Sequence, residues 1–235
     1  MLKGVDVSNW QSDLQLQRLQ GIDFAIIKAT EGNWFVDPCC DGFVQECKAA
    51  GLLWGFYHFA GNGTPEDEAR FFYDNCRGYI GEGIPVLDYE VNNANNISWI
   101  SRFCDEFHTL SKVWPILYKA EYFPFGNDAF SGSWIPEKCG LWCANYNHDY
   151  LDWPTADDCP VNPSPWDCLA IWQFASDFHI KGYYADLDAD IAFMTKDAWK
   201  KYAKGEISTN TGKPVENEQD TGKKVITGRV TIELD

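Results

Sequence analysis

The stretch Ile84-Pro85-Val86-Leu87-Asp88-Tyr89-Glu90 decides how the rest of the chain is read. It is a short apolar run with Gly81 and Gly83 before it and an Asn-rich stretch after it, the pattern of a buried strand. Side chains at i and i+2 of a strand share a face. Asp88 and Glu90 are therefore expected to project together from one strand end. Two like charges that close do not ionise independently, and one carboxyl is pushed toward its neutral form. One residue type then supplies both an acid and a base. The plainer alternative is a carboxylate pair facing water, and the motif alone does not choose between them.

Similar runs recur along the chain: Leu2–Val7, Phe24–Lys28, Leu53–Phe59, Trp114–Tyr118, Leu141–Asn145, Leu169–Phe174 and Asp186–Ala192. With Ile84–Glu90 they make eight candidate strands. The early gaps read as helices. Ser12 and Gln15 form a capping-box pattern opening Asp13–Gln20, which Gly21 ends. Pro38–Ala50 is stopped by Gly51. Thr64-Pro65-Glu66-Asp67 is a strong start for a helix running to about Arg77. Ile97, Ile100, Phe103, Cys104, Phe107 and Leu110 have helical spacing. Alternating strands and helices predict a parallel sheet with crossovers. The later gaps, 121–140 and 146–168, are rich in Pro and Gly, so long helices are not expected there. The reading is an α/β, TIM-like irregular barrel, with complete βα units first and nearly bare strands after, and the site at the carboxyl ends of the strands.

At 235 residues, 45% of them hydrophobic, the chain suits one large domain, or one domain plus a tail. Its 11 Trp, 11 Tyr and 15 Phe are enough to fill a core and also line a groove, where flat rings stack on sugar faces. A net charge of −16 argues against nucleic acid and against anionic membranes as partners. The 9 cysteines contain no CxxC pair, so no zinc site is expected; the thiols read as small hydrophobes, ahead of a Cys159–Cys168 bridge across the Pro-rich loop, and no other metal or cofactor is expected. The start Met1-Leu2-Lys3-Gly4-Val5-Asp6 carries no signal-peptide pattern, and no apolar run approaches the roughly 20 residues of a membrane span. The expectation is synthesis in a cytoplasm, with help for any export. After Tyr202 no aromatic residue follows; residues 204–224 read as a polar linker and 225–235 as a strand-like tail.

Barrel topology would gather strand-end residues on one face. Asp6 ends the first strand, and Lys28, Thr30 and Glu31 follow the second. Tyr57 and His58 end the third, Asp88 and Glu90 the fourth, and Tyr118 the fifth. Asn145 and Tyr146 follow the sixth, Gln173 lies on the seventh, and Asp186, Asp188 and Asp190 lie on the eighth. An acidic, aromatic-lined cleft suits glycosidic-bond hydrolysis, in which one acid protonates the leaving oxygen and a carboxylate stabilises positive charge at the sugar carbon. His58 reads as a core or rim histidine, and Lys28 with Glu31 as an ion pair at the barrel mouth. Trp10, Trp34 and Trp142 are the groove candidates; Trp54, Phe71, Phe72, Phe103 and Phe107 read as core.

Several of these segments resemble glycoside hydrolase family 25, the Chalaropsis-type N-acetylmuramidases. The resemblance lies in Gly4-Val5-Asp6-Val7-Ser8, Asp23 to Gly32, Gly55-Phe56-Tyr57-His58-Phe59, Pro85 to Glu90, Leu141 to Tyr146, Ile171 to Phe174 and Leu187 to Asp190. It covers residues 1–203 in order. It implies a catalytic barrel of five βα units followed by three strands with few helices. It also implies cleavage of the β-1,4 bond between N-acetylmuramic acid and N-acetylglucosamine in peptidoglycan, as in a phage or prophage endolysin acting on the bacterial wall after release. By the same resemblance Glu90 is the general acid, Asp88 orients the substrate N-acetyl group or stabilises charge, and Asp6 and Asp188 tune the site. Tyr57, Tyr118, Trp142, Gln173 and Asn145 would contact sugar. The partner would be peptidoglycan glycan strands, and the protein a monomer or weak oligomer. A barrel acting on another N-acetylated glycan, or a silent glycan-binding barrel, remains the alternative.

Overall fold

The computed structural model describes residues 1–90 and 96–207. Eight strands close into a barrel: β1 (Leu2–Val7), β2 (Phe24–Glu31), β4 (Leu53–Phe59), β5 (Ile84–Asp88), β6 (Ile116–Ala120), β7 (Leu141–Ala144), β8 (Ile171–Phe178) and β9 (Leu187–Ala192). A two-residue strand β3 (Phe35–Val36) folds back on the end of β2. The β1–β2 pairing closes the ring.

Seven barrel strands run parallel, but β9 is antiparallel to both its neighbours, β1 and β8. The all-parallel expectation fails there for a simple reason. A parallel return needs a crossover of roughly a dozen residues or more. Residues 179–186 are too short for one, so β9 turns straight back. Its amino-terminal end therefore lies at the same rim as the carboxyl ends of the other strands.

Helices α1 (Cys40–Ala50), α2 (Pro65–Cys76) and α3 (Ile97–Ser111) follow β2/β3, β4 and β5. Thr64 caps α2 through its hydroxyl, Pro65 fills the first turn, and Gly51 closes α1 in the left-handed conformation at φ 70°. The helix expected over Asp13–Gln20 does not form. Two short 3-10 turns, Asn9–Gln11 and Leu16–Arg18, stand there, and the capping box lies at Ser8 and Gln11. Leu14, Leu16 and Leu19 all have to be buried, which one helical face does not allow at that spacing. Gln15 turns extended between them, and the Leu16 N–H donates to Glu46 instead, at 2.7 Å. The second half is helix-poor: α4 (Ile135–Lys138) is one turn, and α5 (Lys196–Ala203) closes the described chain.

Alternation along the strands sorts the core into two layers. Leu2, Phe24, Ile26, Ile84, Val86, Ile116, Trp142 and Ile171 fill the barrel interior. Val5, Val7, Ala25, Ile27, Phe56, Leu87, Leu117 and Trp172 face outward under the helices. The floor is sealed by α5. Its Trp199 ring lies 4.7 Å from that of Phe24 and donates to the Trp54 carbonyl at 3.1 Å. Gly140 N–H donates to the Tyr202 hydroxyl at 2.9 Å. Gly4 is required on this inner face, because a Cβ there would stand 2.4 Å from the Phe24 ring. Six of the cysteines (40, 47, 76, 104, 139 and 143) are buried thiols, as expected of small hydrophobes. The strand-like tail 225–235 and most of the linker fall outside the described residues.

Candidate active site

The same alternation that packs the interior places polar side chains at its upper end. Asp6 continues the inward face of Leu2 and Gly4, Asp88 that of Ile84 and Val86, and Tyr118 that of Ile116. Strand β5 ends at Asp88, but the Tyr89 N–H still bonds the Tyr118 carbonyl at 3.0 Å, so Glu90 keeps the inward face. Tyr89 points the other way and is buried beside Trp99. The result is an open cavity of about 300 Å³ at the barrel mouth, the lower end of the range for small-ligand sites. Asp6, Asp88, Glu90, Asp188, Lys28, Tyr57, Tyr118, Trp142, Tyr146 and Gln173 line it, with Trp10 and Gln11 at its edge.

A hydrogen-bond network ties this wall together. The Tyr118 and Tyr146 hydroxyls both donate to Gln173 Oε1, at 2.7 and 2.6 Å. Gln173 Nε2 donates to Asp6 Oδ2 at 2.6 Å. Trp142 Nε1 donates to Asp190 Oδ1 at 2.9 Å. Asp88 Oδ1 is buried and has no hydrogen-bond partner among the described residues.

Electrostatics follow from crowding acids in a partly closed space. Burial, then the charge of Glu90, pushes Asp88 well above the usual carboxylate range. Burial raises Glu90 too, with the neighbouring Tyr118 phenol working the other way. Burial and the Glu90 charge lift Asp188 to about 6. Burial, then Asp188, raises Asp6, with the Gln173 hydrogen bond working against them. Burial and crowding thus move these carboxyls toward their protonated forms, the direction a general acid needs.

Residues 5–183 match the profile of Glycosyl hydrolases family 25. The chain belongs to that family. It is 26% identical to Lysozyme M1 of Streptomyces globisporus over 80% of this chain and 66% of that one. It is 29% identical to an N,O-diacetylmuramidase of Chalaropsis sp over 50% of this chain and 65% of the other. The matches thus span just under two thirds of these relatives' own lengths. Among solved structures, a muramidase from Trichobolus zukalii superposes with a TM-score of 0.69 at 26% identity, covering 87% of this chain and 100% of that one.

On the family 25 barrel, all four acids expected at the site line one cavity, and so do Tyr57, Tyr118, Trp142 and Gln173. Two of the expected contacts sit differently. Asn145 is not part of the cavity wall: its amide donates to Glu121 and its carbonyl accepts from Trp172 Nε1 at 2.9 Å. The next residue, Tyr146, takes the place at the wall. Trp142 lines the cavity from below as a buried floor, 2% exposed, whereas Trp10 is 85% exposed at the edge. Trp34 is exposed but outside the cavity.

The eighth-strand acids also separate. Asp188 pairs with Asp6 across β1–β9, Asp190 lies one inward position deeper beside Gly4, and Asp186 is exposed, 2.6 Å from His179. His58 is fully buried between Thr30 (2.8 Å) and Glu68 (3.0 Å), a structural histidine that burial keeps toward its neutral form. Lys28 and Glu31 form the expected ion pair at 2.6 Å, with Lys28 on the cavity wall. Among the described residues no group of His, Cys, Asp and Glu could hold a metal, and no helix is long and apolar enough to cross a membrane.

Proposed function

We propose that this chain is a muramidase that cleaves the β-1,4 bond between N-acetylmuramic acid and N-acetylglucosamine in peptidoglycan, acting on the bacterial cell wall. The observation that carries the reading is Asp88 and Glu90 side by side in one cavity, within a family whose relatives include a named lysozyme and a diacetylmuramidase. Glu90 is the general acid. It is half-buried, held toward its neutral form by burial, and at the accessible end of the pair. Its proton passes to the glycosidic oxygen as the C–O bond breaks.

Two carboxyls two residues apart on one strand suit a substrate-assisted route. The acetamido oxygen of the sugar bonds to its own anomeric carbon while the leaving oxygen takes the Glu90 proton. Asp88 supports this by accepting the acetamido N–H, and the unpartnered Oδ1 is the atom available for it. Water then opens the cyclic intermediate, returning a proton to Glu90. Asp6 and Asp188 shape the field around Glu90. Tyr57, Tyr118, Tyr146 and Gln173 contact sugar, and Trp10 offers a stacking face at the edge.

The test is mass spectrometry of fragments released from purified peptidoglycan, with Glu90→Gln as control. Soluble fragments ending in reducing muramic acid, absent with the variant, support the assignment. Reducing glucosamine ends would overturn the bond preference. No release from walls of several chemistries would overturn hydrolysis.

A further inference from the structure

Asp190 is a carboxyl that the site does not expose to substrate. It is 0% exposed, two positions below Asp188 on β9, opposite Gly4 on one side and Gln173 on the other. Its Oδ1 accepts from Trp142 Nε1 at 2.9 Å. No N–H or O–H group of the described residues reaches Oδ2. A buried carboxylate oxygen left without a donor is costly, and the usual remedy is to take up a proton. Asp6 stands next to Asp190 on the inward face of the β1–β9 pair, close enough for its charge to act on Asp190, and two neighbouring carboxyls can share a hydrogen bond only when one of them carries a proton.

The placement of that proton follows from the other partners. Asp6 already accepts a 2.6 Å bond from Gln173, and that amide is oriented by the Tyr118 and Tyr146 hydroxyls on its oxygen. Such a donor favours the charged form of Asp6. Among the described residues Asp190 has one donor, Trp142, and it is the deeper of the two. Acidic groups face it: Asp6 from β1, Asp188 from its own strand and the Tyr146 phenol from the loop after β7. Burial and the charges of Asp6 and Asp188 all disfavour a carboxylate at 190.

We propose that Asp190 is a neutral carboxyl whose O–H donates to Asp6, making it a positioning residue that holds Asp6 in place and keeps the pair at a single negative charge. The kinetic part of this proposal rests on the muramidase reading; the protonation part does not. The role belongs to Asp190 through Asp6, since it touches no substrate.

Two variants of the full chain test it. Asp190→Asn keeps a donor toward Asp6 and an acceptor toward Trp142, with no proton to lose. Asp190→Leu has the same branching and neither. The proposal expects a buried protonated-carboxyl band in the infrared spectrum of the parent at neutral pH that is missing from Asp190→Asn. It expects kcat and the alkaline limb of the pH–rate profile of Asp190→Asn to match the parent, because the net charge of the pair is unchanged. It expects Asp190→Leu to lose activity by about tenfold or more, the scale of one hydrogen bond to a charged group, while still melting cooperatively. Had Asp190 been ionised, Asp190→Asn would remove a negative charge beneath Glu90 and Asp188. Their carboxyls would become more acidic, the alkaline limb would move to lower pH and no infrared band would be lost. That result overturns the proposal, as does equal activity in Asp190→Leu and Asp190→Asn. If the parent releases nothing from peptidoglycan, the muramidase reading fails, and the infrared comparison still decides where the proton is. Should Asp190→Leu not fold, the infrared and pH comparison of the parent with Asp190→Asn carries the decision.

Discussion

Asp6 and Asp188 stand directly opposite each other across the antiparallel β1–β9 pair, both on the wall of the cavity. Like charges at opposed positions of a sheet destabilise it unless one of them is neutralised. The pair therefore couples the protonation of the site to the stability of the barrel.

Stability should accordingly depend on pH in a defined direction. An unfolded aspartate titrates at about 3.9. In the barrel Asp188 titrates at about 6. Between those values the folded protein holds a proton that the unfolded chain has released, so unfolding free energy falls as pH rises through that window. A series of melts from about pH 4 to pH 7 should show this loss. Asp188→Asn should flatten the part of the slope between those limits; an unchanged slope would show that Asp188 does not titrate as described.

Glu90→Gln should fold like the parent and lose about 10²–10⁴-fold or more in kcat, the usual contribution of a general acid. Near-parent fragment release would remove Glu90 from the role. Asp88→Asn should lose activity on a similar scale.

Trp10 is exposed beside the cavity, with no packing role to lose. Trp10→Ala should raise KM by about tenfold, near 1.4 kcal/mol, with little change in kcat or melting temperature. A fall in kcat with KM unaltered would place Trp10 in the reacting geometry instead.

Phe103 is fully buried in α3, its ring 5.1 Å from that of His58 and 5.4 Å from that of Trp99. Phe103→Ala should cost roughly 3–5 kcal/mol in chemical denaturation. A loss below about 1 kcal/mol, the scale of many surface substitutions, would contradict the packing.

Chain ends give a paired test. Removing residues 208–235 should leave the barrel's melt unchanged. Removing 196–235 deletes Trp199 and Tyr202 from the barrel floor and should abolish the cooperative transition. Equal melts would mean that α5 is dispensable.

The strands were legible because both of their faces are buried, so aliphatic and aromatic runs stand out against Gly- and Pro-rich gaps. Helices α2 and α3 announced themselves through the Thr64-Pro65 start and the Ile100–Phe103–Phe107 spacing. Direction was not legible at β9, because the length of the preceding connection sets it and the strand's own residues carry no trace of it. The missed α5 is short and mostly polar, and its Trp199 and Tyr202 gain meaning only from the barrel floor they fill. Within the site, alternation put Asp88 and Glu90 together and the strand end gave Asp6, while Asp188 was singled out from Asp186 and Asp190 only by the family resemblance. Alternation could not choose Tyr146 over Asn145, because the chain leaves strand geometry after Ala144 and a period of two no longer applies. The bond from Trp142 to Asp190 joins residues 48 apart in the chain, beyond the reach of any local pattern.

The sealed floor has a consequence for traffic. With Phe24, Trp199 and Tyr202 packed below, the barrel is a well with one opening, and no polymer can thread it from end to end. On the muramidase reading a glycan strand would lie across the rim, dip a single linkage toward Glu90, and leave by the way it came. Among the described residues nothing encircles a strand lying there to carry it to the next linkage. Digestion of a long strand should therefore be distributive, scattering breaks along many chains before any one is finished.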